Sequence, residues 1–91
     1  MSNASVVTMI AELFALPHNP IGERPSAEPE ADFNWLAEGR AYRLRLWPVT
    51  GGVVAMAESA EPGQPWPGGP CIRVDGRDAV RITKEISALI G

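Results

Sequence analysis

Eight of the nine prolines in this 91-residue chain fall in two stretches, residues 17–32 and 59–70. Each proline lacks an amide donor and biases the residue before it away from helical geometry, so neither stretch suits a helix or an interior strand. The first stretch adds four acids, Glu23, Glu28, Glu30 and Asp32, to Pro17, Pro20, Pro25 and Pro29. It reads as an extended acidic linker lying across the domain surface. The second carries Pro62, Pro65, Pro67 and Pro70 with Gly63, Gly68 and Gly69, and reads as a loop.

Regular structure is thereby confined to three pieces. In the first, Val6, Met9, Ile10, Leu13 and Leu16 recur at three- and four-residue intervals behind Ser5, a good cap, and Pro17 stops the run. This predicts a helix over 5–16. Phe33, Trp35 and Leu36 then read as apolar anchors that end the linker. From Arg40 the period becomes two: Tyr42, Leu44 and Leu46 alternate with Arg43, Arg45 and Trp47, as in a strand with one buried and one exposed face. A turn at 48–52, with Gly51 and Gly52 able to take positive φ, returns the chain as a second strand over 53–58.

The last piece opens with a third strand at 71–74, Ile72 and Val74 on one face and Cys71 and Arg73 on the other. Asp78 is then a helix cap, and Ala79, Ile82, Ile86 and Leu89 form a helical stripe, with Gly91 just beyond its end. Asp75 and Gly76 could instead close a hairpin with Val80 to Ile82. The helix is preferred because its stripe runs through to the chain end. The fold class is therefore α+β, a small two-layer sandwich in the order α-β-β-β-α, with a three-stranded antiparallel sheet and both helices on one face. One domain spans 1–91: helix 5–16, linker 17–32, core 33–91. A domain this small is marginally stable, so a partner, or a homodimer contact through an open sheet edge, could supply part of its core.

Composition excludes several chemistries. One cysteine and one histidine cannot build a zinc cage or an internal disulfide, and a reducing, cytoplasmic setting is expected. No run is long and apolar enough to span a membrane, and no basic residue precedes the apolar run at 6–16 as a secretion signal requires. No glycine pattern suits a nucleotide, so no cofactor and no metal are expected. Cys71 with His18 is the only nucleophile and base pair to weigh, and His18 sits in the proline-broken linker. No catalytic residue is assigned, and a small enzyme built on Cys71 and His18 ranks third among the functions.

Charge location is more informative than its total of −3. Residues 1–39 hold six acids and one base, a balance of −5, while residues 40–91 hold seven bases and five acids, a balance of +2. Arg43, Arg45 and Trp47 share the outer strand face, Arg73 joins them if the third strand keeps the same orientation, and Trp66 sits between Pro65 and Pro67. Arginine beside an indole is enriched at protein hot spots and on single-strand nucleic-acid platforms. A second arrangement makes the arginines only a solvated face, with Trp47 tucked under a proline turn or loop; the acidic linker offers a third, docked on that face. The resulting expectation is a small non-catalytic protein-binding module, an adaptor, accessory subunit or inhibitor of a larger enzyme of the kind mobile elements direct at host defence. The partner-binding residues are Arg43, Arg45, Trp47, Trp66 and Arg73. Nucleic-acid binding through the same face is the alternative, disfavoured by the net acidity.

Overall fold

A computed structural model describes residues 3–90. Helix α1 (Asn3–Ala15) is followed by β1 (Asn19–Ile21), β2 (Ala31–Ala37), β3 (Arg40–Val49), β4 (Gly52–Ala60), β5 (Cys71–Asp75) and helix α2 (Arg77–Ile90). The strands form one antiparallel sheet in the order β1-β5-β4-β3-β2. The α+β class and the antiparallel sheet stand. The sheet has five strands where three are expected from the sequence, and the two additional ones come from residues assigned to the linker and its anchor.

Strand β2 has the period-two pattern of the others, Ala31, Phe33 and Trp35 facing the helices and Asp32, Asn34 and Leu36 facing away. It joins β3 through Glu38 and Gly39, both at positive φ (51° and 77°), the turn whose twist suits a two-residue hairpin. Glutamate is an uncommon occupant of that conformation, so the turn is inconspicuous in the sequence. Strand β1 is three residues long and contains Pro20, yet it pairs with β5, Ile21 opposite Cys71. Proline is tolerated there because β1 is an edge strand. The linker at 17–32 therefore shrinks to the segment between β1 and β2.

The hairpin expected about residues 48–52 is present, with a shorter loop: Val49 pairs with Gly52 across Thr50 and Gly51. Pro48 lies inside β3, where it pairs with Val53 on one side while β2 stops short of it on the other. The helix at the chain end also stands, and the competing hairpin does not. Gly76 turns the chain at φ 112°, and its carbonyl accepts the Val80 amide as the first helical bond, so the helix begins one residue before the cap expected at Asp78. At the other end α1 begins at Asn3, which places Ser5 in its first turn and not at its cap. Gly91 lies outside the described residues.

Both helices cover the same face of the sheet. Leu13, Leu44, Leu46, Val53, Ile72, Val74, Ile82 and Ile86 form the buried core between them, with Trp35 stacked on both Phe33 and Tyr42 at its margin. Helix α2 lies over the sheet and α1 packs chiefly beside α2. The opposite face carries a second, smaller core of Trp47, Val54, Met56 and Cys71 with Ile21 and Val49 against it. That second core is covered by no helix.

Two glycines test how closely these layers fit. A Cβ at Gly52 would collide with the Val74 carbonyl and the Asp75 side chain of the adjacent strand, whereas one at Gly22 would meet nothing within 4 Å. Gly52→Ala is expected to lose about 1–3 kcal/mol in urea unfolding, the usual cost of overpacking. Gly22→Ala, at ordinary φ, is expected to change stability little or to raise it by less than about 1 kcal/mol.

Candidate functional site

The antiparallel pairing sets which side chains share the outer face. Asp32, Arg45, Met56 and Cys71 lie in one row across β2, β3, β4 and β5; Asn34, Arg43 and Glu58 lie in the next; Trp47, Val54 and Arg73 lie on the other side of the first. Arg43, Arg45, Trp47 and Arg73 thus occupy one face, as the alternation in the sequence requires. That face is not free. Arg45 is 6% exposed and Trp47 5% exposed, because the two proline-rich segments lie over them.

The first segment crosses Trp47. The indole Nε1 donates to the Ala27 carbonyl at 2.8 Å, between half-buried Pro25 and Pro29. A tryptophan N–H bonding a carbonyl within a proline-rich stretch is the chemistry by which aromatic grooves hold extended proline peptides. Here the bound peptide belongs to the same chain. Of the arrangements open from the sequence, the structure has the linker docked on the arginine and tryptophan face.

The second segment is held by Glu58. Its Oε2 accepts the Gly68 amide at 2.8 Å, and its Oε1 accepts Arg45 Nη2 in a short ion pair. The Glu58 side chain is only 1% exposed. Arg45 is held on two further sides, Nη2 reaching Met56 Sδ at 3.2 Å and the guanidinium carbon lying 5.8 Å from the Trp47 ring centroid. Its Nε is buried without a partner among the described residues. Trp66, in the same segment, is half-buried, and the ring that Arg45 lies over is that of Trp47.

Each remaining arginine of the face meets a carboxylate. Arg43 clasps Asp32 with two bonds, Nε to Oδ1 at 3.0 Å and Nη2 to Oδ2 at 2.6 Å, and that bond to Asp32 raises its pKa above the usual arginine value. Arg73 bonds Asp75 at 2.8 Å and the Thr50 carbonyl at 3.1 Å. Glu58 is the member of this network that sequence reasoning missed. The signal was present: once a two-residue loop joins 49 to 52, the same register places Met56 opposite Arg45 and Glu58 opposite Arg43.

Cys71 and His18 do not form a pair. The Cys71 side chain is buried in the outer core, and burial pushes its thiol above the ordinary range despite the nearby charges of Arg45 and Arg24. His18 is exposed, with Nδ1 2.9 Å from the Leu16 carbonyl. Among the described residues no group of three or more His, Cys, Asp and Glu side chains is placed to hold a metal. No described helix is long and apolar enough to cross a membrane.

Two further features bear on partners. Strand β2 pairs only with β3 among the described residues, so its other edge is open, and Leu36, expected from the sequence to anchor onto the core with Phe33 and Trp35, is 71% exposed because the strand alternation turns it to the other face. On the helix side, Val7, Ile10, Ala11 and Phe14 of α1 face Trp35, Tyr42 and Ala57 across an open apolar groove of about 280 Å³. Comparison with protein-family models, curated proteins and solved structures yields no match to this chain.

Two outcomes follow from the buried network. Glu58→Gln leaves the Arg45 charge unbalanced and is expected to lower unfolding free energy by roughly 3–5 kcal/mol, read in urea, with faster amide exchange at Gly68. Because the thiol form of Cys71 is favoured and covered, iodoacetamide is expected to leave it unmodified in the native protein at neutral pH. Mass spectrometry should find full labelling only when urea unfolds the chain.

Proposed function

We propose that this chain is a small non-catalytic protein-binding module, of the adaptor, accessory-subunit or inhibitor kind, which accepts a strand of its partner along the open edge of β2. The observation that carries the proposal is the contrast between the two edges of the sheet. An edge strand presents unpaired N–H and C=O groups to any other strand, and proteins that must stay apart defend it with proline, lysine, inward charges or shortness. Strand β1 is so defended, three residues long with Pro20 at its centre. Strand β2 has seven residues, no proline and no lysine. Its one charge, Asp32, is already clasped by Arg43.

The neighbouring helix supports the same reading. Helix α1 has Glu12 as its only charged side chain, and its apolar residues are not confined to the stripe that meets the core. A strand added at β2 lies beside Trp35, where the α1 groove begins. Main-chain bonds to β2 then supply affinity, and side chains beside Trp35 supply selectivity.

The arginine and tryptophan face has less support as a partner surface, since Arg45 and Trp47 are covered by the chain itself. Nucleic-acid binding through that face has less again. A nucleic-acid backbone is held by many unneutralised Lys and Arg side chains at once, and Arg43, Arg45 and Arg73 of this face each lie against a carboxylate.

The test is photo-crosslinking with a photoreactive residue at Asn34, on purified protein and in extract of the native host. A discrete adduct is expected, its mass distinguishing a second copy from another protein. Leu36→Lys is expected to reduce that adduct at least tenfold while changing stability by no more than about 0.5 kcal/mol, as for other exposed positions. Equal adducts from a photoreactive residue at Glu61, or adducts indifferent to Leu36→Lys, would refute the proposal.

A further inference from the structure

The segment that crosses Trp47 does not seal the sheet beneath it. Between them lies a pocket of about 280 Å³, and three arginines, Arg24, Arg43 and Arg45, line it together with Trp47. We infer that this pocket is a binding site for a small oxyanion, a phosphate or carboxylate group on a compact body, roofed by the segment between Pro25 and Pro29. The inference does not depend on strand addition at β2, which uses the main-chain edge of that strand, whereas the pocket meets β2 through the Asp32 side chain.

The donors are the first reason. A carboxylate partner uses only part of a guanidinium, which carries five N–H groups in a planar fork. Asp32 takes the Nε and Nη2 edge of Arg43, leaving Nη1. Glu58 and Met56 both take Nη2 of Arg45, and its Nε, in a side chain more than nine-tenths buried, has no partner. Arg24 makes no ion pair with any described residue. The Arg45 Nε is closed off from water, so the donors left for an incoming anion are those of Arg24 and the uncommitted Nη1 of Arg43.

Charge and shape are the second. Glu28 and Asp32 also line the pocket, but Asp32 is already engaged by Arg43, so the uncommitted cation there is Arg24, opposed only by Glu28 on the roof. Arginine suits this task better than lysine, because its fork matches the two oxygens of a carboxylate or phosphate. The Trp47 ring supplies an apolar wall for a flat body, and the size of the pocket sits at the small end of ligand cavities. Prolines at 25 and 29 limit the rotatable bonds of the roof, which bends at Ser26 and Ala27, so little order is lost when a ligand enters.

The experiment is nuclear magnetic resonance of the full chain titrated separately with inorganic phosphate and with benzoate, at ionic strength held constant with sodium chloride. At least one probe is expected to saturate at one site, moving the Arg45 Nε–H and Trp47 Nε1–H signals together. Phosphate alone marks a phosphorylated ligand, benzoate alone a carboxylate, and both an oxyanion site of broad acceptance. Arg24→Gln is expected to weaken binding at least tenfold without altering the folded spectrum elsewhere, while Arg81→Gln, on exposed α2, leaves it unchanged. The inference is overturned if neither probe saturates by roughly 50 mM, if Arg24→Gln binds like the unaltered chain, or if signals of Arg81 and Lys84 move as far as that of Arg45.

Discussion

An arginine and a glutamate facing one another beneath the surface, Arg45 on β3 and Glu58 on β4, set the terms for the outer half of this molecule. Removing two charges from water is costly, and such a pair persists only where geometry is good and remaining polar atoms find partners. One proline-rich segment meets part of this requirement and the other covers the pair, with Arg45 Nε left unpartnered among the described residues. Glu58 takes the Gly68 amide from one, and the Trp47 indole beside Arg45 takes the Ala27 carbonyl from the other. The same contacts that satisfy the pair fasten the segments, so the cover and the covered network depend on each other.

This arrangement answers a difficulty common to small two-layer folds. Helices α1 and α2 both lie on one face of the sheet, and no helix among the described residues covers the other. Extended segments rich in proline are a sparing substitute. They lose little conformational entropy on docking, and each proline removes an amide that would otherwise need a partner. The cost is an imperfect seal, and the arginine-lined pocket is where the first segment stands away from the sheet.

Surfaces left exposed lie elsewhere. The sheet is defended at β1 and undefended at β2, and α1 presents apolar side chains beside that second edge. Arginine and tryptophan, the residues that most resemble a partner surface in the sequence, are instead used internally. Residue type alone does not distinguish these uses, because arginine and tryptophan pack well against any extended peptide, whether it belongs to a partner or to the same chain.

Much of the helix-facing half was legible in the chain. The alternation of Tyr42, Leu44 and Leu46 with Arg43, Arg45 and Trp47, and the helical stripe of Ala79, Ile82 and Ile86, depend on local period and fix which face each side chain takes. The co-facial set Arg43, Arg45, Trp47 and Arg73 follows from that period. Strand β1 was not legible, since Pro20 disguises a three-residue strand whose partner β5 lies far along the chain, and β2 was not, since the turn that joins it to β3 places a glutamate at positive φ. Whether the outer face was open or covered was likewise a tertiary matter. Local sequence determined the direction of each side chain; only the meeting of Ala27 with Trp47 and of Gly68 with Glu58, residues 20 and 10 positions apart, decided that water would be excluded there.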